Sequence, residues 1–188
     1  MKQNGNLPLK KMAKAFFLDR DGVINKVILK NNKPFPPYNI KDLKILPGVP
    51  EALEKIMRHN FLIIVITNQP DVSRGITSKS TVEYINNFLI SNLPINKIYT
   101  CYHDNQDKCD CRKPKPGSLI KASIEFSIKL KDSFMVGDRK SDIEAGNSVG
   151  CKTIFIDKGY NEPRPKLYDY SFKSLDQAVN GVLKNAQD

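Results

Sequence analysis

Residues 17–23, Phe17-Leu18-Asp19-Arg20-Asp21-Gly22-Val23, join an apolar run directly to a polar turn. The apolar residues from 15 to 18 predict a buried strand, and Gly22 gives the backbone the freedom to turn after it. Asp19 and Asp21 then follow the strand two residues apart. In such a turn, one carboxylate can attack a substrate while the other transfers protons. An isolated Asp-x-Asp turn is more often a pair of solvated or capping aspartates, so other residues must decide between the two interpretations.

Short apolar runs on both sides of this turn alternate with segments of helical periodicity. The alternation predicts an α/β fold, a doubly wound parallel sheet with crossover helices. The predicted strands cover residues 15–18, 61–66, 95–100, 134–136 and 153–156, and a last helix is predicted near residues 175–183. The predicted apolar helix positions are Val49, Leu53, Ile56 and Met57, then Val82, Ile85 and Leu89, then Leu119, Ile120, Ile124 and Ile128. We predict a tail at residues 1–14 and a single domain over residues 15–188.

Composition and charge limit the classes of function. The chain has 188 residues, of which 40% are hydrophobic, and a net charge of +10. It contains no apolar run of the roughly 20 residues that span a bilayer, and its start lacks the apolar stretch of a signal peptide. We therefore expect a cytoplasmic protein, with no membrane partner, that acts as a monomer. The lysines are scattered, which disfavours nucleic acid and favours a small phosphorylated substrate.

Polar residues follow the predicted strands where those strands end. In open α/β sheets, ligands bind at the carboxyl ends of the strands. Asp138 would add a third carboxylate to the pair in the first turn, and magnesium prefers such oxygen ligands. Asp142 lies one helical turn further on and could hold a metal-bound water. The alternative for Asp138 alone is a helix N-cap.

Donors suited to phosphate occur at the same predicted edge. Thr67 offers a hydroxyl and nearby backbone amides, Lys113 offers a point charge, and Arg112 offers a bidentate fork. Such donors can stabilise the charge that develops on a phosphoryl group in transfer. Each residue alone is more often a cap or part of a solvated surface pair. Together with the carboxylates, they predict phosphoryl transfer.

Four segments of the chain resemble, in order, the four motifs of the haloacid dehalogenase superfamily. They are Asp19-Arg20-Asp21-Gly22-Val23, Ile66-Thr67-Asn68-Gln69, Cys111-Arg112-Lys113-Pro114 and Val136-Gly137-Asp138-Arg139-Lys140-Ser141-Asp142. More narrowly, the chain resembles the histidinol-phosphatase and heptose bisphosphate phosphatase branch. The resemblance covers residues from about 15 to 157, and it implies a Rossmann-like sheet without a large cap domain.

The resemblance implies a role for each motif residue. Asp19 would attack phosphorus to form an aspartyl phosphate, and Asp21 would act as the general acid and then as the general base. Thr67 and Lys113 would bind phosphoryl oxygens. The magnesium ligands would be Asp19, Asp138 and the backbone carbonyl of Asp21, and the residues that bind the rest of the substrate would be Asn68, Gln69, Arg112 and Arg139.

The substrate implied by the resemblance is a small phosphorylated sugar or amino alcohol. The first expectation is a D-glycero-D-manno-heptose 1,7-bisphosphate, because the positive charge favours two phosphates, and the second is histidinol phosphate. The segment 27–46, which contains Pro34-Phe35-Pro36-Pro37-Tyr38, is longer than the matching stretch of the heptose bisphosphate phosphatases. It is too interrupted for a helix or a central strand, and we predict an irregular excursion over the surface.

Three cysteines and a histidine form the cluster Cys101-x-His103-x5-Cys109-x-Cys111. Three thiolates and one imidazole complete a tetrahedral zinc site with no open position, so the predicted zinc is structural. The matching loop of the resembled branch supports the same interpretation. The alternative is a reactive thiol pair beside an exposed His103. The cluster ends at Arg112 and Lys113, so a metal there would fix two donors on long side chains.

Two further residues and two other classes of function are less consistent with the sequence. Cys151 opens a predicted strand and is expected in the core, and His59 is expected at a helix end or on the surface. A zinc-bearing nucleic-acid module, or a nucleic-acid end phosphatase on the same fold, would bind with a steep salt dependence. A catalytically dead binding protein is disfavoured because every motif residue needed for turnover is present.

Overall fold

Six of the eight described strands form one parallel sheet in the computed structural model, which describes residues 12–183. The strands are β1 (Lys14–Leu18), β2 (Ile28–Lys30), β3 (Lys33–Phe35), β4 (Phe61–Asn68), β5 (Lys97–Cys101), β6 (Phe134–Gly137), β7 (Lys152–Ile156) and β8 (Tyr170–Phe172). The sheet order is β5-β4-β1-β6-β7-β8, and every neighbouring pair is parallel. β1 therefore lies in the interior of the sheet, between β4 and β6, and its carboxyl end lies near the middle of the edge formed by the carboxyl ends of the strands.

Helices cover both faces of the sheet. They are α1 (Val49–Arg58), α2 (Lys79–Asn92), α3 (Gly117–Glu125), α4 (Lys140–Ser148) and α5 (Leu175–Leu183). Alternate residues of β1 divide between the two cores: Phe16 and Leu18 pack with α1, α2 and α5, while Ala15 and Phe17 pack with α3 and α4. A strand buried on both faces has the continuous apolar sequence expected in a parallel sheet. The predicted doubly wound fold is confirmed.

Two helices expose residues that the sequence analysis placed on apolar faces. Met57 is 52% exposed, and Ile120 and Ile124 are 42% and 75% exposed. In α3, the buried side chains are Ser118, Leu119 and Ala122, on the other side of a helix of only nine residues. Ile128 is buried as predicted, but it lies beyond α3 and pairs with Ala13. The prediction for these exposed positions was wrong because the helices are short and bury one narrow stripe.

The N-terminal region enters the sheet earlier than predicted. Of the predicted tail at residues 1–14, residues 1–11 lie outside the described part of the chain. Ala13 already forms a bridge with Ile128, and Lys14 begins β1. Between residues 12 and 183, the strands of the main sheet are joined by connections too short to hold a large cap domain. In that same range, no helix is long and apolar enough to cross a lipid bilayer.

The segment after the first turn contains structure that the sequence analysis missed. β2 and β3 form an antiparallel hairpin, and a single 3-10 turn follows at Ile40–Asp42. The two residues between the strands, Asn31 and Asn32, both have positive φ, at 51° and 57°. Asparagine tolerates this conformation, and a two-residue loop of this kind matches the twist of a hairpin. The segment is thus an ordered hairpin beside the main sheet.

Candidate active site

Asp19 lies at the carboxyl end of β1, at the bottom of a cleft of about 410 Å³. Its backbone amide donates to the carbonyl of Val136 at 2.9 Å, which fixes the exit of β1 against β6. Its side chain is buried, and Oδ1 accepts a hydrogen bond from Lys113 Nζ at 2.7 Å. Burial raises the pKa of Asp19 to about 6, against the opposing effect of the Lys113 ammonium. The residue is thus a buried, oriented carboxylate at the edge where a substrate can enter.

Lys113 is buried among three oxygen acceptors. Its ammonium lies 2.7 Å from Asp19 Oδ1, 2.8 Å from Asp142 Oδ1 and 2.6 Å from the carbonyl oxygen of Ile66. Burial alone would lower the pKa of Lys113, but the carboxylates of Asp142 and Asp19 raise it above its usual value. The ammonium therefore stays charged in a place where water is largely excluded, which is what stabilisation of a phosphoryl group requires.

Asp138, at the start of the loop after β6, is a buried carboxylate beside Asp19 and Asp142. Neither of its oxygens has a hydrogen bond among the described residues. Burial and the charge of Asp19 raise the pKa of Asp138 well above its usual value. Ligand atoms of Asp19, Asp138 and Asp142 all lie within 4.8 Å of one another. Orphaned buried oxygens beside other carboxylates suit a hard cation, so the residues fit magnesium.

Asp142, which from the sequence could hold a metal-bound water, accepts hydrogen bonds from two groups of the protein. Its Oδ1 accepts from Lys113 Nζ, and its Oδ2 accepts from the backbone amide of Arg139 at 2.9 Å. Asp142 is therefore, after Asp19, the second carboxylate that contacts the Lys113 ammonium, and it also caps the start of α4. Gly137 is necessary beside it, since a Cβ there would lie 2.1 Å from the Cβ of Asp142.

Gly22 keeps the first turn open toward Asp138. It has a φ of +99°, and an added Cβ would lie 1.9 Å from Asp138 Oδ2. The glycine thus provides both the turn and the space that the orphaned carboxylate occupies. The approach of these two segments depends on the absence of a side chain.

We expect Gly22→Ala to reduce the activity of this site by about 100-fold, because the new Cβ displaces Asp138. Gly75→Ala is the matched control: Gly75 also has a positive φ, at +70°, but nothing lies within 4 Å of its Cβ position. Both variants should lose about 1–3 kcal/mol of stability from backbone strain. Equal activities of the two variants would contradict the steric argument.

Asp21 is held by a set of donors that the sequence analysis did not identify. Its Oδ2 accepts from Gln69 Nε2 at 2.7 Å and from Arg20 Nη2 at 3.0 Å, and its Oδ1 accepts from Asn25 Nδ2 at 2.9 Å. Arg20 is fully buried and also donates to Asn86 Oδ1 at 2.8 Å. Arg20 and Asn25 are close to Asp21 in the chain, but Gln69 and Asn86 come from distant segments, so no local pattern shows that these side chains meet.

Two residues predicted to bind substrate also bind other residues of the site, and one of them, Asn68, lines the cleft. Gln69 is buried, and its amide donates to Asp21 and to Thr67 Oγ1, the latter at 3.0 Å. Asn68 donates to the backbone carbonyl of Lys113 at 3.0 Å and accepts from its backbone amide at 3.2 Å. The structure thus gives both side chains the geometry of positioning residues. Thr67 is buried at the same strand end, as predicted.

The other two predicted substrate residues are at the mouth of the cleft. Arg112 donates through Nε to Asn105 Oδ1 at 2.9 Å, and Arg139 donates through Nη2 to the carbonyl of Pro34 at 2.7 Å. Arg139 Nε also lies 3.6 Å from Glu162 Oε2. The segment 33–36 of the hairpin lines the cleft beside them. The stretch predicted as a surface excursion therefore forms one wall of the site.

The four residues of the cysteine cluster converge in the loop after β5. Their ligand atoms lie within 4.8 Å of one another. The Cys101–Cys109 and Cys101–Cys111 sulfur distances are 3.8 and 3.2 Å, and His103 Nδ1 lies 3.4 Å from the Cys111 sulfur. An ideal tetrahedron around zinc has S–S edges of about 3.8 Å and S–N edges of about 3.6 Å. The donor set and its spacing fit zinc.

Cys151 and His59 lie away from the cleft. Cys151 is buried in the core that α3 and α4 cover, as predicted. His59 follows the end of α1, and its Nδ1 lies 2.8 Å from the carbonyl oxygen of Lys55. Neither residue contacts the site.

Several known proteins match this chain over most of its length. A family model described as HAD-hydrolase-like matches residues 110–178. A protein of Campylobacter jejuni named D-glycero-alpha-D-manno-heptose-1,7-bisphosphate 7-phosphatase is 34% identical over 174 residues, which cover 89% of this chain and 94% of that protein. A protein of Pasteurella multocida named D-glycero-beta-D-manno-heptose-1,7-bisphosphate 7-phosphatase is 32% identical, and the match covers 87% of this chain and 94% of that protein.

A solved structure is similar in the same way. The crystal structure of a D,D-heptose 1,7-bisphosphate phosphatase from B. bronchiseptica, complexed with magnesium and phosphate, has a TM-score of 0.74 and covers 92% of this chain and 99% of that one. Its sequence identity is 22%, so the likeness concerns the fold.

Proposed function

Since the chain belongs to the haloacid dehalogenase superfamily of phosphatases, we propose that it hydrolyses the 7-phosphate of a D-glycero-D-manno-heptose 1,7-bisphosphate. The substrate rests on relatives of that name that are 31–35% identical and match most of the chain. One observation carries the chemistry: a buried Asp19 carboxylate is oriented by Lys113 at 2.7 Å beside the unpartnered carboxylate of Asp138. That arrangement has a nucleophile, a fixed positive charge and a place for a cation.

Asp19 and Asp138, with the backbone carbonyl of Asp21, would hold magnesium. The unpartnered, buried oxygens of Asp138 support this assignment. When bound, the ion would neutralise part of the charge on the phosphoryl oxygens and help to orient them. The chain's own residues carry out the bond-making and proton transfers.

In the first step, an oxygen of Asp19 attacks phosphorus, and the bond between phosphorus and the sugar oxygen breaks. Asp21 gives a proton to the departing sugar oxygen, so that an alcohol leaves and an aspartyl phosphate remains. In the second step, water attacks the same phosphorus, Asp21 takes the water proton, and the bond to Asp19 breaks. Inorganic phosphate leaves, and both carboxylates return to their starting forms.

Thr67 and Lys113 would bind the phosphoryl oxygens. Thr67 Oγ1 accepts from Gln69, which leaves the hydroxyl proton free to donate to a phosphoryl oxygen. Lys113 uses its three N–H groups on Asp19, Asp142 and the Ile66 carbonyl. If one N–H moves from Asp19 to the substrate, Asp19 Oδ1 becomes free to attack while Lys113 keeps its other two anchors.

The cysteine cluster would hold one structural zinc ion. Cys101, His103, Cys109 and Cys111 would supply all four protein ligands of such an ion, so its role would be structural rather than catalytic. The loop reaches the mouth of the cleft through Asn105, which accepts from Arg112. A metal ion that held this loop would also hold Asn105, and through Asn105 it would fix the side chain of Arg112 where it can reach the substrate.

A panel of phosphate-release assays tests the substrate. It contains the alpha and beta anomers of D-glycero-D-manno-heptose 1,7-bisphosphate, fructose 1,6-bisphosphate and histidinol phosphate. Both anomers are needed because similar proteins are named for each. We expect kcat/KM for one heptose anomer to exceed kcat/KM for fructose 1,6-bisphosphate and for histidinol phosphate by at least about 100-fold. This factor corresponds to about 2.7 kcal/mol of transition-state binding. A preference for histidinol phosphate would refute the proposed substrate.

A further inference from the structure

Four side chains form a continuous chain of hydrogen bonds across the mouth of the cleft. Tyr38 donates its hydroxyl proton to Asp71 Oδ2 at 3.0 Å, and Arg74 Nη1 donates to Asp71 Oδ1 at 3.2 Å. From another edge of the guanidinium, Arg74 Nε donates to Asp104 Oδ2 at 2.8 Å and Nη2 donates to Asp104 Oδ1 at 2.6 Å. We call Tyr38, Asp71, Arg74 and Asp104 the brace.

The brace has the geometry of a positioning device. Asp71 is buried, and each of its oxygens has a partner within the brace. The pair of hydrogen bonds between Arg74 and Asp104 is bidentate and charge-assisted, which fixes orientation as well as distance. Ser73 adds a hydrogen bond to Asp107 Oδ2 at 3.1 Å beside it. A surface ion pair alone would have neither the buried carboxylate nor the second anchor.

The brace joins three segments that are far apart in sequence. Tyr38 follows the hairpin whose residues 33–36 line the cleft, Asp71 and Arg74 lie in the loop after β4, and Asp104 lies between two residues of the cysteine cluster. The loop with Asp104 also carries Asn105, which holds Arg112. The position of the hairpin wall is therefore tied mechanically to the loop that presents Arg112.

We propose that Arg74 is a positioning residue that holds the hairpin wall and the cysteine loop at a fixed separation, and thereby sets which leaving groups fit the cleft. This rests on the proposed phosphatase function. Arg74 acts on the sugar through the two walls, and the chemistry at Asp19 does not depend on it. Loosening the brace should weaken the binding of a large leaving group and leave the turnover of a small ester unaffected.

Steady-state kinetics of Arg74→Met, against Arg58→Met as control, tests the proposal. Arg58 forms an exposed pair with Glu54 on α1, far from the cleft. We expect the KM for the preferred sugar phosphate to rise about tenfold in Arg74→Met, while kcat/KM for p-nitrophenyl phosphate changes by less than about twofold. Tyr38→Phe should shift the KM in the same direction by about threefold, and Tyr84→Phe, which removes an exposed hydroxyl, should not. If the ratio of kcat/KM for the sugar phosphate to kcat/KM for p-nitrophenyl phosphate were the same in Arg74→Met as in the wild type, the proposal would be overturned.

Hydrogen–deuterium exchange separates this inference from the substrate assignment. Residues 34, 36 and 37 are prolines without an amide hydrogen, so the signal comes from Lys33, Phe35 and Tyr38. Exchange at these amides should rise in Arg74→Met and stay unchanged in α5, whichever sugar phosphate the wild-type enzyme prefers. Unchanged exchange in residues 33–38 would overturn the brace even if the wild-type enzyme hydrolyses heptose bisphosphate. If instead the wild-type enzyme releases no phosphate from either heptose anomer, the proposed substrate fails, and the ratio is measured with the best substrate of the panel.

Discussion

Asp19→Asn is expected to reduce phosphate release by about 10⁴-fold or more, because a neutral carboxamide lacks the nucleophilic carboxylate oxygen that attacks phosphorus. Asparagine has nearly the same shape as aspartate, and Lys113 keeps its contacts with Asp142 and the Ile66 carbonyl. The loss should therefore appear in kcat, measured as phosphate released at saturating magnesium and substrate.

Stability provides the internal control for this variant. Burial raises the pKa of Asp19 to about 6, so the folded state disfavours its charged form. Because the pKa of Asp19 is higher in the folded than in the unfolded state, its contribution to folding stability is fully present at a pH below the pKa of the unfolded state. That contribution is lost as the pH rises through about 6. At pH 7.5 in magnesium-free buffer, neutral asparagine should leave the Tm unchanged or raise it.

Asp132→Asn is the matched surface control, since Asp132 forms an exposed pair with Lys129. It should keep full activity. If Asp19→Asn retained more than about 1% of wild-type turnover, Asp19 could not be the nucleophile.

Loss of the cysteine-cluster metal should have the second-largest effect. We expect about one tightly bound zinc per chain, and Cys111→Ala should remove it. Structural zinc contributes directly to folding, so the Tm should fall by at least about 10 °C. Activity should fall as well, because Cys111 immediately precedes Arg112 and Lys113. Elemental analysis and thermal unfolding measure the two effects.

Cys151→Ala is the control for the zinc experiment. Cys151 is buried in the core and lies outside the cluster, so its removal leaves a small cavity and keeps the metal. Its Tm should fall by a few degrees with one zinc retained. Wild-type protein that contains no zinc after purification without chelators would refute the assignment.

The sheet and the convergence of the site were predictable from sequence for one physical reason. Parallel strands buried on both faces need unbroken apolar runs, and such runs mark β1, β4, β6 and β7 clearly. The carboxyl ends of these strands must meet at one edge. Asp19, Thr67 and Asp138 follow those runs, so their convergence needed no knowledge of the loops.

The strands that escaped prediction have only three residues each and are partly exposed. β8 has three residues and is largely exposed, so it carries no apolar run. The hairpin of β2 and β3 could have been found from Asn31-Asn32, because paired asparagines are typical of turns with positive φ.

The partners of the site residues could not be predicted. Motif matching assigned Asn68 and Gln69 to the substrate, while the structure directs their amides to Lys113 and Asp21. The same holds for Arg20, a fully buried guanidinium that reaches Asn86 on α2. Such contacts depend on how distant segments pack, and nothing in the local sequence records that packing.

The central claim is that turnover passes through a phosphoryl group bound to Asp19, and chemical trapping tests it most directly. Wild-type enzyme is mixed with its substrate, quenched within the first turnovers, treated with borohydride and digested for mass spectrometry. Borohydride reduces an acyl phosphate to an alcohol, so an aspartyl phosphate at Asp19 becomes homoserine at position 19. We predict homoserine at that position alone, dependent on substrate and absent in Asp19→Asn. Steady turnover with an unmodified Asp19, or with the reduced residue elsewhere, would contradict the account.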